Sequence, residues 1–251
     1  MVRGLDLFAA YFREYIDQYV LIGGSACFVL FQDAGQDFRP TVDLDIVLCL
    51  ESLTAEFTQG FAGFISSGSY EVKEKIFGDR ILYRFSEPGD QAYPRQIELF
   101  SAKPLDMDLS EGSTITPIKI DDEYVSLSAI LLSEAYYGLI HEGKTVVDGM
   151  SVLKPEYMML LKVKAWLDLS DRKKAGQKVD SSDIKKHLED VFRLLTLLTP
   201  DTRMEPVNSI KADLQEFVSR CAETEVHDFA RFKLDMSRAE ALEMLETIYR
   251  L

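Results

Sequence analysis

Asp43-Leu-Asp45-Ile-Val-Leu48 is the stretch that most restricts what this chain can become. Apolar residues alternating with two aspartates form the pattern of a strand, in which side chains two apart share a face. Asp43 and Asp45 therefore point one way, and Leu44, Ile46 and Leu48 the other. Two like charges so close together on a largely buried strand repel each other and lose hydration. A fold keeps them only where something offsets the charge, and a divalent cation held by oxygen ligands answers that need.

Just upstream, the apolar run Val20–Ile22 breaks at Gly23-Gly24-Ser25. Glycine admits positive φ and close backbone approach, and Ser25 can cap the helix that Ala26 to Phe31 begin. The amides of such a turn suit a phosphate, although a plain tight turn explains Gly-Gly-Ser taken alone. Further on, Gln96 to Ser101 reads as a strand with Ile97 and Leu99 on one side and Glu98 on the other. Glu98 is either the water-facing side of an edge strand or a third carboxylate beside Asp43 and Asp45.

The remaining periodicity predicts a mixed half followed by a helical half, an α+β chain divided at residues 1–122 and 123–251. The first half has a helix over 5–19, a short strand or helix exit over 20–22, a strand over 42–50, a helix over 53–67, and strands over 71–77, 80–85 and 96–101. From Val125 the period changes, giving helices over 127–142, 155–170, 183–198, 205–222 and 236–250. Val146, Val147 and Gly149 suggest a short hairpin or an extended link. Pro155 suits a first helical turn, Ser181 or Ser182 a cap, and Pro200 a stop.

Composition excludes several classes. No run of about 18 apolar residues is present, so no membrane-spanning helix is expected. Neither is a secretory leader, since charged residues interrupt the N-terminal stretch. Cys27, Cys49 and Cys221 lie far apart and read as reduced thiols of a cytoplasmic protein. The formal charge of −14 repels polyanions, except at Arg172-Lys173-Lys174, Lys178, Lys185 and Lys186. That cluster is either a solvated helix end or a patch for a polyphosphate or a nucleic acid such as an RNA end. The chain carries no Walker A loop, G-x-G-x-x-G, H-E-x-x-H or G-x-S-x-G. His141, His187 and His227 lack metal-ligand spacing.

Gly24-Ser25, Asp43-x-Asp45 and the later Glu98 together resemble the DNA polymerase β-like nucleotidyltransferase superfamily. Its pattern is an apolar residue, Gly-Gly/Ser, a spacer, then Asp-x-Asp/Glu on a strand. Arg39-Pro-Thr-Val-Asp-Leu-Asp-Ile46 looks like the AbiEii-type branch, the nucleotidyltransferase toxins of abortive-infection and toxin–antitoxin systems. Lys162-Val-Lys-Ala-Trp-Leu-Asp-Leu169, Asp171-Arg172 and Val179-Asp-Ser-Ser-Asp183 are similar to that family's helical run. The resemblance implies a mixed-sheet nucleotidyltransferase domain followed by a helical bundle that completes the site. It implies that Asp43, Asp45 and Glu98 are catalytic and hold two Mg²⁺ (or Mn²⁺) ions. Gly24 and Ser25 would cradle the β- and γ-phosphates. Lys162, or Lys164 if the helix is rotated, would contact the triphosphate, and Asp183 would belong to the active site. Asp183 also reads as an ordinary first-turn helix residue.

The implied reaction moves a nucleoside monophosphate from an NTP to the hydroxyl of a tRNA, a protein or a small molecule such as an aminoglycoside. In the toxin branch a cognate antitoxin would be a partner. The competing expectation is a catalytically weak nucleotide-binding or regulatory module acting through a protein partner.

Overall fold

The computed structural model describes residues 2–72, 84–102, 115–120, 123–199, 201–223 and 236–251, with backbone alone at Val72, 115–120 and 123–131. The chain divides into two compact units, Met1–Leu153 and Lys154–Leu251.

Among the described residues, the first unit is built on a nine-stranded mixed sheet. Its helices are α1 (Leu5–Tyr11), α2 (Gly23–Asp33), α3 (Ala55–Ser67) and α4 (Glu134–Gly143). Its strands are β1 (Tyr19–Ile22), β2 (Asp43–Leu48), β3 (Glu71–Val72), β4 (Arg84–Ser86), β5 (Gln96–Ser101), β6 (Ile115–Ile120), β7 (Glu123–Leu131), β8 (Lys144–Val147) and β9 (Met150–Leu153). They lie in the order β3-β4-β5-β2-β1-β9-β8, with β7 pairing β5 and β6 pairing β7. β2 runs antiparallel to β1 and parallel to β5.

Register separates the two faces of this sheet. Tyr19 pairs with Leu48, Leu21 with Ile46, Leu44 with Ile97, and Ile97 with Phe85, so these apolar side chains share a face. Tyr19, Leu44, Ile46, Leu48 and Ile97 are wholly buried. The cover is aromatic. Phe8 stands edge-on to Tyr19 and to Phe64, Phe12 packs on Phe57, Phe61 and Phe64, and Phe61 meets Phe85. Ring pairs of this kind contribute about 0.5–1.5 kcal/mol each beyond area burial. α3 is aimed at that cluster by a local device: the Thr54 hydroxyl accepts from the Phe57 N–H at 3.3 Å. The opposite face carries Asp43, Asp45, Gln96, Glu98 and Arg84.

Several expectations change. The helix expected over 5–19 ends at Tyr11, and Tyr19 already belongs to β1. Residues 127–131 form the end of β7 rather than the start of a helix, and α4 begins only at Glu134. The alternation Val125-Ser-Leu127-Ser-Ala129 carries a strand period, and parallel pairing of Ile130 and Leu131 with Phe100 and Ser101 decides in its favour. The division between units falls after Leu153 rather than at 122, because β7, β8 and β9 complete the first sheet; Val152 pairs with Leu21 of β1. Ser25 does not cap α2: Ile22 holds the cap position and Ser25 lies inside the helix. The expected strands over 71–77 and 80–85 are seen at Glu71–Val72 and from Arg84, and their remaining residues lie outside those described, as does His227.

The link around Gly149 is a hairpin, with Asp148 and Gly149 both at positive φ (49° and 75°), as a two-residue turn of this twist requires. At the far end of β2, the Tyr137 hydroxyl accepts from the Leu50 N–H at 2.8 Å and donates to Glu51 Oε2 at 2.8 Å, tying α4 to the strand exit.

The second unit consists of α5 (Pro155–Lys174), α6 (Ser181–Leu195), α7 (Asn208–Glu223) and α8 (Arg238–Tyr249). Pro155 opens α5 as expected, and α8 begins with a capping box between Ser237 and Glu240. The cap of α6 is Asp180, whose carboxylate accepts from the Ser182 N–H, which holds its pKa below the usual carboxylate range. All three cysteines are buried free thiols, and burial pushes Cys49 up to about 11 and Cys221 up to about 12. Among the described residues, no helix is long and apolar enough to cross a membrane.

Candidate active site

The candidate site forms where β1 turns into α2, alongside the start of β2. Asp43 and Asp45 are half-buried on the polar face, while Leu44 and Ile46 between and beyond them are fully buried. Ile22, the residue before the glycine turn, pairs with Asp45, so the turn lies over that aspartate. Gly23 has φ +69°, and a Cβ placed there would lie 1.9 Å from Asp45 Oδ2. A Cβ on Gly24 would lie 2.4 Å from Thr41 Oγ1. The two glycines let a carboxylate and a hydroxyl sit directly on the backbone that starts α2. The first amides of a helix have no partner inside it, so this turn presents donors beside the aspartates.

Ser25 contributes differently from a phosphate ligand of the ordinary kind. It is fully buried, and its hydroxyl donates to the Asp43 carbonyl oxygen in a short contact. That bond fixes the start of β2 to the first turn of α2, and so the height of Asp43 relative to the turn. The long segment between Ser25 and Asp43 is spent on the rest of α2 and a loop ending at Arg39-Pro-Thr41, with the Arg39 guanidinium 5.1 Å from the centre of the Phe38 ring.

Glu98 stands beside Asp45 as its register partner on the neighbouring strand. Its Oε1 lies 2.5 Å from Arg84 Nε and accepts from Gln96 Nε2 at 2.9 Å. Among the described residues, no three His, Cys, Asp or Glu side chains come together closely enough to hold a metal ion. The convergence expected of Asp43, Asp45 and Glu98 is therefore one of strand register, with Glu98 engaged by Arg84. The aspartate pair itself fits a hard divalent cation such as Mg²⁺ or Mn²⁺: both donors are carboxylate oxygens, and Gly23 leaves room at Asp45 Oδ2 that any side chain would fill.

Lys162, Lys164 and Asp183 belong to the helical unit. Lys162 is buried and its Nζ lies 3.0 Å from Asp190 Oδ2, joining α5 to α6. Lys164 is more exposed and lies 3.2 Å from Asp213 Oδ1 and 3.7 Å from Asp168 Oδ1. Asp183 is exposed in the first turn of α6. Arg172, Lys173, Lys174, Lys178 and Lys185 are exposed around the α5–α6 turn, Lys186 is half-buried, Arg172 Nε donates to Gln177, and Lys173 contacts the Ser181 hydroxyl. His141, in the last turn of α4, lies 3.3 Å from Glu51 Oε2, and burial lowers its pKa.

Sequence reasoning missed Arg84, Thr41 and Asp190. Asp190 carried a readable signal, an acidic residue on the apolar stripe of a strongly amphipathic helix. Arg84 and Thr41 became visible only through register and the turn.

Gly23→Ala tests the close approach. Strain at positive φ costs about 1–3 kcal/mol, and the new methyl displaces the Asp45 carboxylate. The expected result is a lower denaturation midpoint together with weakened Mn²⁺ binding; an unchanged protein would mean that the turn does not press on Asp45.

No protein-family model matches the chain, and no curated protein does. Three solved structures resemble it in part. An antigenic nucleotidyltransferase-like protein from Paracoccidioides brasiliensis is 15% identical, with a TM-score of 0.47, over 99% of this chain and 95% of that one. The antibiotic-resistance factor ANT(2'')-Ia is 16% identical, with a TM-score of 0.40, over 86% and 89%. JHP933 from Helicobacter pylori is 13% identical, with a TM-score of 0.39, over 97% and 87%. Nucleotidyltransferase-like proteins are thus among its structural neighbours, at a likeness too low to say what this chain binds or does.

Proposed function

We propose that this chain is a metal-dependent nucleotidyltransferase that moves a nucleoside monophosphate from an NTP to an acceptor hydroxyl. The observation that carries the reading is the seating of Asp45 against Gly23: a carboxylate pair on one strand face, directly under the start of a helix. Asp43 and Asp45 would hold the cation, which when bound offsets charge on the phosphates and activates the attacking hydroxyl. The opening amides of α2 would receive phosphate oxygens, and the Ser25 bond to the Asp43 carbonyl keeps donors and carboxylates in register. In the transfer, the acceptor oxygen forms a bond to the α-phosphorus while the bond to the β-phosphate bridge breaks. Pyrophosphate leaves, and the hydroxyl proton passes to a carboxylate of the same face.

The test is incubation of the purified chain with Mg²⁺, each labelled NTP in turn, and cell extract. Label appearing in tRNA, in protein or in a small molecule, with pyrophosphate released, identifies both nucleotide and acceptor. Growth arrest on expression, relieved by a co-expressed neighbouring gene product, would add the toxin role. Nucleotide and Mg²⁺ bound without pyrophosphate release would instead make the chain a binding module.

A further inference from the structure

A hollow of about 250 Å³ lies within the first unit, walled by α1, α2 and the β8–β9 hairpin, and it shares no residue with the aspartate face. Its origin is readable on α1. Phe8 and Phe12 pack into the aromatic core, whereas Ala9 and Ala10 line the hollow and are too short to fill it. α2 supplies Phe28 and Gln32, four residues apart and so on one helix face. Val2, Leu5, Val29 and Met150 are buried and form an apolar floor. Asp6, Arg13, Gln32 and Asp148 are exposed at the edge. Among the described residues, their side chains form no hydrogen bond or ion pair. The hairpin turn sets Asp148 there at φ 49°, and a Cβ on its neighbour Gly149 would meet nothing within 4 Å.

Size and charge together select an occupant. An apolar cavity of about 150 Å³ already takes a benzene ring, so this hollow has room for a ring with a short polar tail. Two carboxylates against one guanidinium leave its edge negative. Arg13 stands seven residues beyond Asp6, about 10 Å of helical rise, and does not pair with it. The surrounding unit, Met1–Leu153, has 24 Asp and Glu against 11 Lys and Arg, which adds to the pull on a cation. Phe28, half-buried in the wall, gives an aromatic contact of the kind that favours an ammonium. We propose that this hollow binds a small organic cation, an ammonium carried on an apolar body about the size of one ring. The body covers the floor and takes that apolar surface out of water. The ammonium stays at the edge, where Asp6, Asp148 and the Gln32 amide oxygen supply acceptors. The inference stands apart from the nucleotidyltransferase reading, since it uses none of that site's residues.

The experiment titrates the full chain with phenethylammonium, phenethyl alcohol, hydrocinnamate and tetramethylammonium, followed by calorimetry and ligand-observed NMR. Saturable one-site binding of phenethylammonium is expected, about tenfold or more tighter than the alcohol, the scale of one charge-assisted hydrogen bond. Hydrocinnamate has the wrong charge and tetramethylammonium lacks the ring, so neither should saturate. Asp6→Asn with Asp148→Asn should remove the preference for the ammonium over the alcohol. Ala9→Trp, which fills the hollow, should abolish binding of both. Thermal melts establish that the variants are folded, and if Ala9→Trp is not, Ala10→Phe at an exposed lining position carries the comparison. The proposal is overturned by wild-type protein that shows no saturable phenethylammonium binding up to millimolar concentration, or that binds ammonium and alcohol equally. Tetramethylammonium bound as tightly as the ring-bearing cation would overturn it too, as the mark of a merely acidic surface. So would undiminished binding in the folded filled variant, or a preference for the ammonium that survives loss of both carboxylates.

Discussion

Asp43→Asn is expected to yield a folded protein that transfers nucleotide at least about a hundredfold to a thousandfold more slowly, the scale on which single preorganised charge-stabilising groups act. Two effects separate here and can be measured apart. In the absence of metal, Asp43 and Asp45 are like charges on one face of β2, both half-buried. Neutralising one relieves repulsion, so the melting temperature of the variant without divalent ion should equal or exceed that of the wild type. Mg²⁺ should then raise the melting temperature of the wild type by mass action and leave the variant where it was. The bond from Ser25 goes to the backbone carbonyl of Asp43 and not to its carboxylate, so the substitution leaves the link to α2 in place. Full activity in Asp43→Asn, or a Mg²⁺-dependent melting shift equal to that of the wild type, would remove the catalytic reading.

The second large effect belongs to stability. Asp190→Ala leaves the Lys162 ammonium buried without its partner: Lys162 is 4% exposed and Asp190 0%. Breaking a buried pair from one side costs about 3–5 kcal/mol, because the remaining charge has lost both water and its counter-ion. Replacing both, Lys162→Met with Asp190→Leu, should recover most of that loss, since a hydrophobic pair of similar volume needs no compensation. Denaturant titration of the three variants decides the matter. A loss below about 1 kcal/mol in Asp190→Ala would mean that Lys162 finds another anion, and would return it to the residues able to meet a phosphate.

These two residues illustrate how far local pattern reaches. Lys162 sits in a segment that resembles a catalytic family's helical run, and that resemblance assigned it to the triphosphate. Spacing along α5 cannot reveal that Asp190, far along the chain on α6, meets it inside the helical unit. The same limit applied at β7: the apolar residues from Val125 onward are compatible with either period over so short a run, and pairing with β5 settled the choice.

Much was already determined by sequence alone. Alternation placed Leu44, Ile46 and Leu48 inside and Asp43 and Asp45 on the opposite face, because a strand has a period of two and burial tolerates no unpaired charge. Gly23-Gly24 and Pro155 were legible for the same reason: each satisfies a constraint set by immediate neighbours, whereas the region of Gly149 read equally as a hairpin or an extended link. Tertiary structure alone decided which strand lies beside which. Only register brings Glu98 level with Asp45 and Arg84 level with Glu98, and only the folded turn presses Gly23 onto Asp45 Oδ2. Contacts between residues distant in the chain depend on how whole elements pack, and no local pattern encodes that.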